Sequence, residues 1–350
     1  MSMKVFSLDP MCDARWQRLV DRHPRSSIFH TQGWLGALQR TYGYRPVAYT
    51  LAQESEELGN GLVFCLIDSR LTGRRLVSLP FSDHCEPLVN TQEEWERLSS
   101  SLVEMAALQA CKYVEIRPMH GIGLVSRGNT LARSQSFYLH TLDIGPKLED
   151  IYVTFHRKAV QQLIKRAERE DLSVEEGRSP ELVRHFYRLL IRTRRRHSFP
   201  PQPLQWFKNL VECLGSQTSV RVAFSNGEPI ASIFTLSFKD HVYYKYGCTD
   251  ERFHSLGGLQ LLLWRAIRAE KEAGAKVLDM GRSDIDQSGL VRFKERWGAI
   301  RSVLEYYRYP APRHQHSRPK WAEQALSYAV SCLPDSVLTK VGGILYPHMG

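Results

Sequence analysis

The sequence has no closely spaced pair of cysteines. Its seven cysteines are scattered over 350 residues, and none lies at the CxxC spacing of zinc ribbons and redox motifs. An odd, dispersed set of thiols is typical of proteins from a reducing compartment. The pattern argues against a disulfide framework and favours a cytoplasmic protein.

Long apolar runs are also lacking. The longest, such as LQLLLW at 259–264, are far shorter than the roughly 20 residues that a membrane-spanning helix needs. The opening stretch MSMKVFSLDPMCDARW contains Lys4 but no apolar core of a secretory signal. Sustained heptads of apolar residues are missing as well. We therefore expect no transmembrane helix, no signal peptide and no coiled coil.

Acidic residues are fewer than basic ones. There are 47 lysines and arginines against 37 aspartates and glutamates, which gives a net charge of +10 at pH 7. A basic surface favours a polyanionic ligand such as a phosphate, a nucleotide, a nucleic acid or an acidic lipid surface, or it serves solubility alone. With 43% hydrophobic and 24% charged residues, the composition is typical of a folded globular protein.

The length of the chain and the order of its patterns predict two domains and a tail. A series of helices, an antiparallel meander, a helix and a strand occurs twice, although no clear sequence repeat accompanies it. We assign the first series to residues 1–145 and the second to residues 146–310. Residues 311–350 read as a proline- and histidine-rich linker followed by an amphipathic helical tail.

The second series carries the clearest local signals. Ser179 and Pro180 are an N-cap and first-turn pair, and Asn226-Gly227 between two strand patterns predicts a tight hairpin. The strand HVYYKYGCT is followed by a helix that begins at Gly257-Gly258, and then by the strand KVLDMG, which we expect to end at Gly281.

A basic helix is predicted over Phe155–Glu170, where the two series meet. Five cations fall largely on one side of it, namely Arg157, Lys158, Lys165, Arg166 and Arg169. Two interpretations remain open at this point. The cations form a solvated face, or they bind a phosphate or diphosphate between the domains.

The helix that begins at Gly257 and Gly258 is a candidate donor-binding element. A helix N-terminus exposes unpaired amides and a partial positive charge, and glycines let a pyrophosphate approach closely. We therefore expect Leu256, Gly257, Gly258 and Leu259 to bind a diphosphate-bearing donor such as coenzyme A. The alternative is that the two glycines serve close packing only.

Several phrases, in this order, resemble the double-GNAT architecture of the Fem peptidyltransferases and their BioF2-like acetyltransferase relatives. They span roughly residues 25–310 and are IFHTQGWLGAL, LPFSDHCEPLV, KYVEIRP, RKAVQQLIKRAERE, TRRRHSFPPQP and GRSDIDQSGLVRFKERWGA. The resemblance implies an α/β (α+β) fold of two tandem GNAT-like acyltransferase domains. Each would be a mixed, mostly antiparallel sheet flanked by helices, and the chain would end in a helical tail.

The resemblance also implies an acyl donor, either acyl-CoA or aminoacyl-tRNA. Two departures bear on the choice. Ser255 stands where the acyl-CoA loop of GNAT enzymes has its first glycine, and the coiled-coil insertion associated with aminoacyl-tRNA use is missing. Transfer RNA is therefore a possible but unsupported partner.

Site residues follow from the same resemblance. Asp279, Arg282 and Lys294 would be catalytic, with Arg282 and Lys294 neutralising an oxyanion and Asp279 orienting or deprotonating the acceptor. The alternative is that Asp279 and Arg282 form a structural salt bridge and Lys294 is solvated. The candidate substrate-binding residues are Trp34, Asp83, Arg157, Arg166, Arg194, Arg195, Ser283 and Trp297.

The predicted function is that of an acyl or aminoacyl transferase. It would act on an amine or hydroxyl of an anionic cell-envelope glycan, a lipid-linked precursor or a peptide, and it would need no metal. The alternative is a catalytically silent GNAT-like scaffold that binds nucleic acid or assembles a complex.

The tail resembles the extension of FemAB-related proteins from exopolysaccharide and exosortase systems. It would pack on the body, bind a partner or lie peripherally at the inner face of a bacterial membrane. Because it follows a proline-rich linker, we expect a chain that ends near Pro312 to fold and to retain its chemistry.

Overall fold

The computed structural model describes residues 4–120, 131–312 and 333–350. Its α-helices are α1 (Ala14–Arg22), α2 (Gln32–Tyr42), α3 (Gln92–Leu108), α4 (Leu148–Thr154), α5 (Gln162–Arg169), α6 (Pro180–Arg196), α7 (Leu204–Leu214), α8 (Gly258–Glu272), α9 (Ser288–Glu295) and α10 (Asp335–Leu345). Its strands are β1 (Phe6–Leu8), β2 (Arg45–Thr50), β3 (Leu62–Ile67), β4 (Arg75–Val77), β5 (Tyr113–Ile116), β6 (Ala132–Asp143), β7 (Ser173–Gly177), β8 (Thr218–Ser225), β9 (Glu228–Phe238), β10 (His241–Thr249), β11 (Val277–Asp284) and β12 (Ile300–Tyr309).

These elements form two compact units. Unit 1 comprises Met1–Phe137, Leu304–His316 and Ile344–Gly350, and unit 2 comprises Tyr138–Val303 and Ser317–Gly343. The units are therefore not consecutive stretches of chain, unlike the domains proposed from sequence. The end of β12 and the last residues of the chain lie in unit 1. The sequence could not predict this, because packing between residues that are distant in the chain leaves no local sequence pattern.

Unit 1 is a mostly antiparallel sheet with helices packed on it. Its strands lie in the order β1-β2-β3-β4-β5, and Tyr307–Tyr309 of β12 pair with β5. The pair β4 and β5 is parallel. Trp95 and Leu102 of α3 are buried in one core with Phe64 of β3. Thr91 caps α3 and forms a capping box with the glutamate three residues later, which satisfies free amides of the first turn.

Unit 2 contains the strand order β11-β10-β9-β8-β7, with β6 beside β11. The pairs from β7 to β10 are antiparallel, and β10 and β11 are parallel. Asn226 and Gly227 have positive φ angles of 50° and 77°. This is the backbone that a two-residue hairpin turn requires, so the predicted turn joins β8 to β9.

The basic segment before β7 is not one helix. Helix α4 ends at Thr154, a π-helical segment covers Arg157–Gln161, and α5 follows directly. The reason lies in the extended backbone before the π-helical segment. The N–H of His156 bonds the carbonyl of Arg296 at 2.7 Å, and its ring accepts a hydrogen bond from the Ala159 N–H, which starts a new helix.

Other boundaries differ in smaller ways. Strand β11 continues beyond Gly281 to Asp284. Strands β1, β6, β7 and β12 were not predicted. Helix α10 agrees with the helical tail that was predicted, whereas the apolar stretch 321–333, which also has helical spacing, lies almost entirely outside the described residues. None of the helices in the described ranges combines the length and apolarity needed to cross a bilayer.

Candidate active site

The parallel strands β10 and β11 pair over only three residues each. Their register ends at Tyr243 and Asp279, although β10 continues to Thr249 and β11 to Asp284. Just beyond this point, the register of β10 with β9 shifts at Lys245. The two strands thus stop pairing at the ends that point toward the start of α8. A gap between parallel strands leaves backbone groups available to a ligand.

Asp279 and Lys294 both bind the backbone of β11 at the end of this pairing. The carboxylate of Asp279 accepts a hydrogen bond from the N–H of Gly281 at 2.6 Å. The ammonium of Lys294, from α9, donates to the carbonyls of Gly281 and Arg282 at 2.7 and 2.9 Å. Asp279 and Lys294 are each 2% exposed, so Lys294 is buried rather than solvated. The carboxylate of Asp279 and the ammonium of Lys294 therefore meet around Gly281, where Arg282 contributes its backbone carbonyl.

The core beside this site contains two further polar groups without partners. Ser283 is 2% exposed, and its hydroxyl makes no hydrogen bond within the described residues. His140 of β6 is fully buried, and neither of its ring nitrogens has a partner there. Burial lowers the pKa of His140 to about 4, with Lys294 and Arg301 adding repulsion. The imidazole is therefore neutral at pH 7.

A cavity of about 330 Å³ lies in unit 2 at the start of α8. It is bounded by the first turn of α8, the end of β10, two residues of β9 and single side chains of α5, α6 and α9. The lining residues are Leu163, Arg196, Ile230, Ala231, Thr249, Asp250, Phe253, His254, Gly258, Leu259, Gln260 and Phe293. The predicted donor-binding residues Gly258 and Leu259 thus line a real cavity.

Arg196 and His254 give this cavity its polar character. Nε2 of His254 lies 2.7 Å from the hydroxyl oxygen of Thr249 and 3.3 Å from Nη1 of Arg196. Partial burial lowers the pKa of His254, and the charge of Arg196 lowers it further. A guanidinium and a histidine biased toward its neutral form therefore lie beside the amino end of a helix, a combination suited to an anionic group.

A cluster of ion pairs lies next to this cavity and includes Asp250, one of its lining residues. Asp250 is 4% exposed and pairs with both Arg192 and Arg252. The hydrogen bond from Arg252 lowers the pKa of Asp250 to about 2. Arg252 also pairs with Glu228. The guanidinium of Arg252 is therefore bound to two carboxylates.

The two glycines at the start of α8 have a packing role. Gly257 has a φ of 75°, and a Cβ there would lie 2.2 Å from the carbonyl oxygen of Leu163 in α5. A Cβ on Gly258 would lie 3.1 Å from Ile230 and 3.2 Å from Ala231. Close contact of α8 with α5 and β9 therefore explains both glycines without a ligand. Binding of a donor at the same turn stays a prediction.

The predicted substrate-binding residues are dispersed. Trp34 is fully buried and packs edge-on against Phe29 at 4.9 Å, and Trp297 is fully buried against Phe155 at the same distance. Asp83, in unit 1, is half-buried, and its backbone carbonyl accepts a hydrogen bond from a tyrosine hydroxyl.

The predicted arginines occupy different environments. Arg157 is exposed, and Arg166 lies 3.6 Å from Glu170. Arg194 is half-buried on α6. Arg195 donates to the carbonyl of Leu333 and the carboxylate of an aspartate in α10. Of these arginines, none lines the cavity at α8.

Sequence reasoning missed Arg196 and His254. Arg196 follows directly after the two arginines that were chosen, and the useful signal was its spacing of four from Arg192, which places both on one face of α6. His254 stands three residues before Gly257, in the short helical turn that precedes α8, and a single histidine there gives no distinctive pattern. Metal binding has no candidate within the described ranges, where no cluster of three or more suitable side chains occurs.

The chain is similar to known proteins in sequence and in fold. Residues 154–295 match the family described as acetyltransferase (GNAT) domain. No curated protein sequence matches the chain. The solved structure of FemX is 14% identical, covers 88% of this chain and 97% of its own, and superposes with a TM-score of 0.70.

Two other solved structures share the fold. L-PGS from Bacillus licheniformis is 11% identical, with coverage of 97% and 98% and a TM-score of 0.55. A tandem GNAT protein from the clavulanic acid biosynthesis pathway is 10% identical, with coverage of 89% and 99% and a TM-score of 0.54. These likenesses confirm the predicted fold, and the matched domain supports acyltransferase activity. The chain therefore has the tandem GNAT-like fold that was predicted, and residues 154–295 match the acetyltransferase (GNAT) domain family.

Proposed function

We propose that the protein transfers an acyl or aminoacyl group to an amine or hydroxyl, with its donor bound in unit 2. The observation that carries this proposal is the cavity at the start of α8, which lies within the matched GNAT domain. It combines the amino end of a 15-residue helix with the guanidinium of Arg196. A helix N-terminus and a cation are the usual partners of a phosphate or diphosphate.

The chemistry would take place where β10 and β11 stop pairing. The acceptor amine or hydroxyl attacks the donor carbonyl, and the bond to the leaving thiolate or ribose oxygen breaks as the new amide or ester forms. The acceptor loses a proton, which the leaving group takes up. Asp279, Arg282 and Lys294 are the proposed residues at this point, because Asp279 and Lys294 bind the backbone of Gly281 beside the gap and Arg282 directly follows that glycine. Orientation of the two reactants would supply much of the rate.

The proposed acceptor is an anionic cell-envelope glycan, a lipid-linked precursor or a peptide. The resemblance to the Fem peptidyltransferases and the likeness in fold to FemX and L-PGS support an envelope setting. The net charge of +10 supports an anionic acceptor and a location at the inner face of the membrane. The donor is acyl-CoA or aminoacyl-tRNA, both of which present phosphates to the cavity.

Binding of the donor tests the proposal directly. Isothermal titration calorimetry with acetyl-CoA and with a mixed aminoacyl-tRNA preparation should give saturable binding of one of them. The variant Arg196→Met should weaken that binding at least tenfold, which corresponds to about 1.4 kcal/mol. Arg184→Met is the matched control, because Arg184 is an exposed arginine on the same helix that does not line the cavity.

Two results would overturn the proposal. If both variants bind the donor like the wild type, the donor does not use this cavity. If neither donor binds while DNA or RNA binds with a steep dependence on salt, the chain is the nucleic-acid-binding scaffold instead.

A further inference from the structure

Both strands that border the gap become irregular at equivalent positions. The last residues in register are Tyr243 in β10 and Asp279 in β11. Two residues later, β10 has its register shift at Lys245 and β11 has Gly281 with a φ of 73°. A positive φ interrupts regular strand geometry and is readily adopted by glycine. The end of pairing is therefore built into the backbone of both strands.

The side chain of Asp279 holds the backbone N–H of Gly281 at the irregular point of β11. In a regular parallel pair, the N–H of Gly281 would be available to a neighbouring strand. Here it bonds the carboxylate of Asp279, two residues earlier, at 2.6 Å. Local bonds of this kind compete with the ladder of a sheet. The amide of Gly281 is thereby withdrawn from pairing.

The side chain of Lys294 holds the backbone carbonyls at the same point of β11. Consecutive carbonyls of a regular strand point in opposite directions, so one ammonium cannot reach two of them. Lys294 bonds the carbonyls of both Gly281 and Arg282, which is possible because the left-handed backbone of Gly281 redirects one of them. A charge that is only 2% exposed needs such partners, so the contact is costly to break.

We propose that Asp279, Gly281 and Lys294 form a strand break that holds β11 away from β10 and so keeps the donor slot open. Lys294 is then a positioning residue, whose ammonium acts on the backbone of β11. The identity of the ligand in the slot rests on the function proposed above, whereas the strand break itself does not. An oxyanion-binding role alone would make Lys294 important and leave Gly281 replaceable.

Four variants separate these roles: Asp279→Ala, Asp279→Asn, Gly281→Ala and Lys294→Met. Hydrogen–deuterium exchange of the full chain should become faster in the segment 280–284 for Asp279→Ala, Gly281→Ala and Lys294→Met. The same three variants should bind acetyl-CoA at least tenfold more weakly. Asp279→Asn is the matched control for the exchange measurement alone, because its amide oxygen can still accept the bond from the Gly281 N–H, so exchange in this segment should stay near that of the wild type.

The outcomes are distinct. Unchanged exchange and unchanged acetyl-CoA affinity in Gly281→Ala and Asp279→Ala would overturn the strand break. Loss of turnover in Lys294→Met alone, at normal affinity, would assign Lys294 to the oxyanion instead. If the wild type does not bind acetyl-CoA, then acetyl-CoA is not the donor, and the exchange rates of segment 280–284 alone test the strand break. Should Lys294→Met not fold, the other three variants carry the test.

Discussion

Arg75 donates two hydrogen bonds to the backbone carbonyl of Gly350, from Nε at 2.9 Å and from Nη2 at 2.7 Å. Nη2 also donates to the carbonyl of His348 at 2.8 Å. Arg75 is only 2% exposed, so its charge depends on these carbonyls for compensation. Residues 344–350 are thus part of the packing of unit 1.

Deletion of residues 344–350 should destabilise the protein. It leaves the buried guanidinium of Arg75 without two of its carbonyl partners, a loss on the order of 3 kcal/mol. Thermal unfolding of the full chain, the truncated chain and the truncated chain with Arg75→Met measures the effect. The added substitution should restore part of the loss, because it removes the uncompensated charge. An unchanged melting temperature on truncation would support the dispensable tail expected from the sequence.

Alanine should be tolerated much less at Gly257 than at Gly274. Both glycines have positive φ, 75° and 98°, and they lie near opposite ends of α8. Alanine costs about 1 kcal/mol in such a backbone at either site. A Cβ at Gly257 would in addition meet the carbonyl of Leu163 at 2.2 Å, whereas nothing lies within 4 Å at Gly274. Chemical denaturation of the two variants compares them, and equal losses would contradict close packing of α8 on α5.

Replacement of Asp250 by asparagine should destabilise the protein in a pH-dependent manner. The pKa of Asp250 is lowered from 3.8 to about 2, so its carboxylate stabilises the fold at neutral pH by about 2 kcal/mol. This contribution is present above pH 4 and is lost as the pH falls through about 2. The stability difference between wild type and Asp250→Asn should therefore shrink by roughly half between pH 7 and pH 3. A constant difference would show that the ion pairs with Arg192 and Arg252 do not set this pKa.

Replacement of His140 by leucine should make stability less sensitive to acid. Burial lowers the pKa of His140 from 6.5 to about 4, so the unfolded chain takes up a proton that the folded chain does not. The wild type therefore loses stability as the pH falls below 6.5, by about 3 kcal/mol near pH 4. Urea unfolding of both proteins at pH 7, 5.5 and 4 tests this. His30, whose pKa is also lowered to about 4 by burial, remains in the variant, so some acid sensitivity should persist.

The fold could be predicted largely from sequence because its signals are local. The caps Ser179 and Thr91 mark helix starts, and Asn226-Gly227 marks a hairpin, in each case through atoms within a few residues. The order of short motifs then supplied the double-GNAT arrangement. Pairing of β12 with β5 could not be predicted, since it depends on partners far apart in the chain.

The site was predictable only in part. Asp279 and Lys294 both bind the backbone at Gly281, but the sequence could not show that the ammonium of Lys294 binds carbonyls, because the sequence pattern of α9 does not distinguish a buried lysine from an exposed one. Likewise, the sequence could not distinguish a ligand-binding role of Gly257 from a packing role, because the carbonyl of Leu163 beside it is distant in the chain. Arg196 was missed because three consecutive arginines give no local reason to prefer one of them.

The late arrival of β12 has a consequence for synthesis on the ribosome. Tyr307 pairs with Ile116, so β5 waits for about 190 further residues, roughly 10 to 40 s at 5–20 residues per second, before its neighbour emerges. Throughout that interval the nascent chain carries an open strand edge, which is the kind of surface that promotes aggregation. The amino-terminal unit is therefore the first to begin folding and cannot be completed until Tyr138–Val303 of unit 2 have been translated, so we expect its yield in the cell to depend on chaperones that shield β5.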